Sequence, residues 1–475
     1  MFWEIERHKT TSSRVYDIPS GRTLTYDDLL SSTSDWEKIL RSTRKRLVAL
    51  FSDNSTASLA VYLAALRTGQ TLMLSHSTTD PSLVHTLCER YRPDLIINVG
   101  ASPLLRDGYT TTASPSPTLS LATAQRPCED TIFPDTAVLL STSGTTGSPK
   151  LIRLSYRNLQ TNAEAIAHYL EITERETPVT ALPLSYSYGL SVVNSHLSVG
   201  ANLLCTNASM MTKEFWAQFQ EHRCTSFAGV PFSYAMLERL RFEQMTLPSL
   251  RTITQAGGRL APEKIQLFAD IAKRKDFRFF VMYGQTEATA RIAYVPSDRL
   301  ADKIGSIGIP IPGGHLALQQ HGHTITEPYQ EGELVYTGPN VMLGYADSRA
   351  SLSQGDEQHG SLLTGDLGHR DPEGYYYITG RMKRFVKVFG LRLNLDEVEK
   401  MLESSLGLPI ACVGTDDVLH VLLETDSDTA VQEAQKRVVA LYKLHFSAVD
   451  VRRIDHLPVT SSGKKDYHAI GRHFA

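Results

Sequence analysis

From residue 46 onward, apolar runs alternate with amphipathic stretches. RLVALF at 46–51 reads as a buried strand, 59–66 as a helix rich in Ala and Leu, 71–74 as a strand, 84–91 as a helix and 95–99 as a strand. Such alternation predicts α/β units on a largely parallel sheet. Upstream, residues 1–24 read as an irregular lead-in. Thr25 reads as the N-cap of a helix over 26–39 that its Ser/Thr run breaks in the middle. TTTASPSPTLS at 110–120 has the composition of a linker. Further on, helices are predicted over 158–169, 211–223 and 232–241, and strands over 199–204, 250–255 and 277–282. SYSYGLS at 185–191 reads as a glycine-containing turn with two aromatics, and SFAGVP at 226–231 as a small-residue turn. Two successive strands run into glycine-bearing loops, Ala256-Gly257-Gly258 and Tyr283-Gly284-Gln285-Thr286-Glu287. Strand ends of this kind mark the ligand crevice of open α/β sheets.

After about residue 300 short alternating runs separated by Gly and Pro replace the helices, which predicts a smaller β-rich subdomain. The last 90 or so residues read as a compact α+β unit, within the normal size of an independent domain. Its first helix is capped at Asn394 or Asp396, with acids in the first turn. The fold expected is α/β. A large N-terminal domain of mixed α/β sheets with a β-rich subdomain occupies residues 1–382, and a small, mobile α+β C-terminal domain occupies 383–475.

Bulk composition narrows the function classes. A chain of 475 residues exceeds what one core organises. A net charge of −3 argues against a broad nucleic-acid-binding surface. No apolar run is long enough to span a bilayer, and MFWEIERHKT lacks a secretory signal's basic start and apolar core. Five scattered cysteines suggest neither a disulfide framework nor a zinc site, and a cytoplasmic location is expected.

The chemistry centres on STSGTTGSPK at 141–150, between apolar runs at 137–140 and 151–154. Two glycines let main-chain N–H groups and hydroxyls converge on an anion, and Lys150 adds a point charge. This is a polyphosphate cradle between two strands rather than the common P-loop, in which Gly-Lys-Ser/Thr leads into a helix. A second Gly-Lys element, LPVTSSGKKDY at 457–467, lies near the C-terminus.

STSGTTGSPK, YGQTE, TGDLG, GRMKRFVKVFGLRLNLDEVE and LPVTSSGK follow one another in this order. Together they resemble the AMP-forming adenylating enzymes: acyl-CoA synthetases, the adenylation domains of peptide synthetases and the beetle luciferases. The resemblance covers nearly the whole chain. It implies attack of a carboxylate on the α-phosphorus of ATP, giving acyl-adenylate and pyrophosphate, and then transfer of the acyl group to a thiol. Negative charge spreads over oxygens in both steps, which suits fixed donors, a lysine and Mg²⁺.

Carried onto this sequence, the resemblance places Thr142, Ser143, Gly144, Thr145, Thr146, Gly147 and Lys150 on the β- and γ-phosphates. Gly257 and Gly258 admit the adenine, Tyr283 stacks on its face beside Gly284, Thr286 binds the α-phosphate and Glu287 holds Mg²⁺. Asp366 takes both ribose hydroxyls, with Arg381 assisting. Lys464, rather than its neighbour Lys465, is the catalytic lysine of adenylation, and Lys383 is the hinge about which the small domain turns between the two steps.

The family's aromatic segment with a histidine is here LPLSYSYG, with Tyr186 in the histidine's place. The Phe-Asp pair that holds an α-ammonium group in amino-acid-activating members is missing. Tyr186, Tyr188, Phe227, Ala228, Val230, Pro231 and residues near Ala288 are the expected acyl wall, which suits an aliphatic or aryl acid. The acceptor is CoA or a carrier protein supplied in trans, and GLRLNLDEVE leans toward carrier-protein users. The rivals are an amino-acid-activating ligase, a non-catalytic relative that binds nucleotide or acyl ligand, and a phosphotransferase that would yield ADP.

Overall fold

Leu47–Ser52 is buried along its whole length because both sheet neighbours and both faces are covered. It pairs in parallel with Thr71–His76 and Leu95–Val99 in a computed structural model of the chain. The structure describes all residues except 101–103, 105–106, 142–149, 383, 389–390, 416–417, 443, 461–462 and 475. Helices Thr56–Arg67 and Pro81–Tyr91 make the crossovers between the three strands. An eight-stranded sheet grows outward from this centre. On one side it runs through Thr136–Ser141 and Leu151–Ser155 to Gly344–Ala346, and on the other through Leu119–Ala124 to Tyr109–Thr112.

A nine-stranded sheet has a parallel centre made of Leu203–Cys205, Pro178–Val179, Ser226–Gly229, Thr252–Gln255 and Arg278–Tyr283. Helices Tyr156–Tyr169 and Ser187–Val199 contribute Leu159, Ala163, Leu190, Val193 and Leu197 to the main core, along with Trp36, Tyr62 and Leu140.

The chain divides into two compact units. One draws on residues up to 315 and on 337–362, the other on 316–336 and on 363 onward. In the second, a five-stranded sheet includes the antiparallel pair Ser361–Arg370 and Tyr376–Arg381. Farther along, Leu395–Leu406 and Asp428–Tyr442 pack on the sheet Ile410–Thr415, Val418–Glu424 and Val449–Ile454, around Val398, Leu402, Val421 and Val438. Asn394 caps the first of these helices by accepting from the Asp396 N–H at 3.0 Å.

Five sequence readings are corrected. The first helix is continuous over Tyr26–Leu40, because the Thr33 hydroxyl donates to the Leu29 carbonyl at 2.8 Å and its methyl joins the buried face. Thr25 caps it in a reciprocal box with Asp28. Residues 110–120 are no linker: Tyr109–Thr112, an aromatic followed by three β-branched threonines, pairs antiparallel with Leu119–Ala124. SYSYGLS is the start of the helix Ser187–Val199, and Gly189 lies inside it because a side chain there would strike the carbonyls of Leu182 and Pro183. SFAGVP supplies the strand Ser226–Gly229, its small residues suiting the covered sheet, and the next helix begins at Pro231. The lead-in carries the edge strands Val15–Asp17 and Arg22–Leu24.

Candidate active site

In the first unit the strands Thr252–Gln255 and Arg278–Tyr283 lie side by side in parallel, so their carboxyl ends deliver Gly257 and Gly284 to one edge of the sheet. Gly257 has φ +82°, and a side chain there would collide with the Tyr186 hydroxyl and meet Val230. The Tyr186 oxygen therefore lies against the Gly257 backbone, and burial raises its pKa. A side chain at Gly258 would press on the Pro231 ring, and Arg259 is exposed. Gly284 has a different reason to be glycine: the Ala290 carbonyl occupies the space a Cβ would need.

That close approach folds 284–292 back on itself. The Ile292 N–H donates to the Tyr283 carbonyl at 2.9 Å, around the short turn Thr286–Ala288. Tyr283 is half-buried, with the Gln285 amide on its hydroxyl at 3.1 Å. The Thr286 hydroxyl meets that of Ser187 at 3.1 Å, and one Glu287 oxygen accepts from the Tyr345 hydroxyl at 2.9 Å. Ala288 is buried, and its carbonyl accepts from the Asn340 amide at 2.8 Å.

The expected acyl wall divides by strand alternation. Ala228 and Val230 share a buried cluster with Tyr188, whose hydroxyl meets that of Thr254 at 2.8 Å. Phe227 points to the opposite face, where its ring packs edge-on against Trp216 at 5.9 Å and Phe242 at 5.8 Å. Its ring packs in that core, while the residue also lines a cavity together with Ala228.

Thr142 to Gly147 of the phosphate loop, and Lys383, lie outside the described residues. The loop's flanks are the antiparallel strands Thr136–Ser141 and Leu151–Ser155, and Lys150 is exposed at its exit.

In the second unit Asp366 and Arg381 are register partners on adjacent strands, and the Arg381 Nε donates to Asp366 Oδ1 at 2.8 Å. Asp366 is 2% exposed while the arginine faces solvent. The C-terminal lysine loop is a tight turn: Gly463 has φ +75° and the Thr460 N–H donates to the Lys464 carbonyl at 2.7 Å. The Lys465 ammonium is tied to Glu399 and Glu403, each at 2.9 Å, and to the Ile410 carbonyl. Although burial alone would lower its pKa, those carboxylates and the Tyr467 hydroxyl raise it. Glu399 also holds Arg384 at 2.6 Å, and that guanidinium lies over the Tyr467 ring.

Sequence reasoning missed Tyr345, Ser187, Arg291 and this Arg384–Glu399–Lys465 cluster. Arg291 left a trace: a lone charge inside ATARIAY, where its neighbours are apolar. Tyr345 left none, since it meets Glu287 across 58 positions of chain.

Parallel strands whose carboxyl ends carry glycines and a Tyr-Gly-x-Thr-Glu turn define the class, an adenylate-binding α/β enzyme. The family model described as AMP-binding enzyme matches residues 2–346, and the chain belongs to that family. It is an AMP-forming acid–thiol ligase, which activates a carboxylic acid with ATP. It is 27% identical to a 2-succinylbenzoate–CoA ligase of Bacillus velezensis, over 98% of this chain and 97% of that one. It is 31% identical to the enzyme of the same name from Bacillus subtilis, over 69% and 67%. The solved o-succinylbenzoate CoA synthetase of Bacillus subtilis, in complex with its acyl-adenylate intermediate, shares the fold with a TM-score of 0.77 at 23% identity, covering 98% of this chain and 97% of that one. Among the described residues no helix is long and apolar enough to cross a membrane.

Proposed function

We propose that the chain activates a non-amino carboxylic acid as its adenylate, assisted by Mg²⁺, and passes the acyl group to the phosphopantetheine thiol of CoA. The observation that carries this is the paired strand ends: Gly257, packed closely against Tyr186 and Val230, beside the Gly284 turn that presents Tyr283, Thr286 and Glu287. CoA is favoured over a carrier protein because the relatives are CoA ligases.

A carboxylate oxygen of the acid attacks the α-phosphorus and pyrophosphate leaves. Lys464 and Thr286 donate to the oxygens that gain charge, and Lys150 with Thr142–Gly147 neutralises the leaving group. Lys465 cannot serve, because its ammonium already satisfies Glu399 and Glu403. Asp366 takes the ribose hydroxyls and Arg381 fixes that carboxylate. The thiol, having lost its proton, then attacks the acyl carbonyl and AMP departs. Lys383 serves as the pivot about which the part of the second unit that follows it turns between the two steps.

The donor set suits Mg²⁺. Among the described residues no cluster of three His, Cys, Asp or Glu side chains could hold a metal by itself. A single carboxylate, Glu287, steadied by Tyr345, fits a hard cation that keeps its waters and takes most of its ligands from phosphate. When bound, Mg²⁺ supplies charge stabilisation at those phosphates.

The test is acid-dependent exchange of labelled pyrophosphate into ATP over aliphatic, aryl, hydroxy and amino acids. Exchange with a non-amino class supports the reading. Exchange confined to amino acids, or nucleotide binding with a silent panel, overturns it.

A further inference from the structure

The helices Tyr156–Tyr169 and Ser187–Val199 pack on each other and enclose a small cavity beside the Thr286–Ala288 turn. Asn162, Ser187, Ser191, Asn194 and Thr289 supply its polar lining, and apolar side chains close the rest. It offers about 10 Å³ to the centre of a water-sized molecule, enough for one water. Among the described residues no acidic or basic side chain lines it.

Most of the hydroxyl protons on this wall are already used. The Ser191 hydroxyl donates to the Tyr188 carbonyl at 2.7 Å, and the Thr289 hydroxyl to the Asn340 carbonyl at 2.6 Å. A hydroxyl has one proton, so toward the cavity both can only accept. The Asn162 amide nitrogen donates to the Arg291 carbonyl at 3.3 Å, which turns its Oδ1 the other way. That oxygen is buried without a hydrogen-bond partner among the described residues, in a side chain that is 1% exposed. Asn194 accepts from the Tyr62 hydroxyl at 3.1 Å through its Oδ1, so its NH₂ is the donor it offers the wall. An orphan acceptor in an acceptor-rich cavity needs a small neutral molecule that brings protons.

Ser187 joins this wall to the reaction. Its hydroxyl meets that of Thr286 at 3.1 Å, and either oxygen can be the donor. A phosphate oxygen only accepts, so a Thr286 that serves the phosphate spends its proton there and accepts from Ser187. Ser187 then has no proton left and must itself accept from the cavity side.

We propose that this cavity holds a single structural water, held by Asn162 and Asn194, and that Ser187 is a positioning residue that aims the Thr286 hydroxyl at the α-phosphate. This rests on the ligase reading above and adds the residues that stand behind Thr286. The water accepts from the Asn194 amide and donates one proton to Asn162 Oδ1 and the other to Ser187 Oγ. Ser187 donates to Thr286 Oγ1, and Thr286 donates to the phosphate oxygen. All the donors of this relay point toward the anion, so each bond polarises the next.

The experiment is calorimetry of Mg²⁺–ATP on the full chain, with pyrophosphate exchange alongside, for Ser187→Ala and Asn162→Leu, each also made in a Thr286→Val background. Ser187→Ala is expected to weaken nucleotide binding about 5-fold and exchange about 10-fold, with Asn162→Leu acting in the same direction. In the Thr286→Val background neither change is expected to matter, because both act through that hydroxyl. A loss of equal size in both backgrounds is what a merely structural role would give, and it overturns the proposal. Wild-type binding and exchange in Ser187→Ala overturn it too. Should Asn162→Leu fail to fold, Ser187→Ala and Thr286→Val complete the cycle by themselves. A crystal structure of the wild type is expected to show an ordered water within about 3.2 Å of Asn162 Oδ1 and Ser187 Oγ; well-defined density without it overturns the water. Coupled losses of nucleotide binding with a silent acid panel sink the ligase reading and sustain the positioning of Thr286. Exchange without coupling sinks the proposal alone.

Discussion

Lys464 and Lys465 are adjacent and lie in the same motif, and the structure predicts opposite consequences for losing each. Lys465 bridges Glu399, whose side chain is 8% exposed, and Glu403, at 39%. Breaking a fully buried pair costs about 3–5 kcal/mol, and an exposed one at most about 1. Glu399 retains Arg384, the Cys412 N–H and the Tyr467 hydroxyl when Lys465 is removed, so its charge is not stranded. Lys465→Met should therefore destabilise the second unit by about 2 kcal/mol, a fall in its Tm of several degrees. Pyrophosphate exchange measured well below that Tm should stay within a few-fold of wild type. Lys464→Ala should lower Tm less than Lys465→Met does, since main-chain bonds of Thr460 and Gly463 hold the turn together and survive the change. It should lower exchange by about 10²-fold or more, equivalent to about 2.7 kcal/mol of transition-state stabilisation. Transfer from a supplied acyl-adenylate to CoA should persist in Lys464→Ala. Thermal unfolding, exchange and single-turnover thioester formation on the two variants decide the matter. Loss of exchange in Lys465→Met at unchanged Tm, with Lys464→Ala active, would refute the assignment.

Gly284→Ala should lower exchange by at least about 10-fold and stability by about 1–3 kcal/mol, because the Ala290 carbonyl must give way and the Thr286–Glu287 turn moves with it; wild-type exchange in that variant would mean the turn does not position the reaction. His196 has its pKa lowered from 6.5 to about 4 by burial, so its contribution is complete above pH 6.5 and is lost as pH falls toward 4. That amounts to about 3 kcal/mol, and urea unfolding of His196→Leu should be flatter over the window than wild type, whereas parallel curves would exclude the histidine. Lys383→Pro should slow thioester formation more than adenylation, and an unchanged ratio of the two rates would remove the pivot from residue 383.

The sequence by itself determined whatever depends on near neighbours. The 2- and 3.6-residue periods located the central strands. Thr25 and Asn394 marked two helix starts, because a capping oxygen satisfies N–H groups only two or three residues away. The order of five motifs carried the family, and glycines after two strands located the crevice edge. The limits of this reading were also local: a Ser/Thr run signals a break only until its buried face is known, and SYSYG signals a turn only until Gly189 is seen to pack on the Leu182 and Pro183 carbonyls. Only the tertiary structure decided the pairings. Tyr345 reaches Glu287, Ser187 reaches Thr286 and Arg291 covers Tyr188 because sheet order brings together segments far apart in the chain. It also separated the two lysines, since Glu399 and Glu403 project from the helix Leu395–Leu406 toward one ammonium and not the other. Those contacts depend on packing in three dimensions, which no local period encodes.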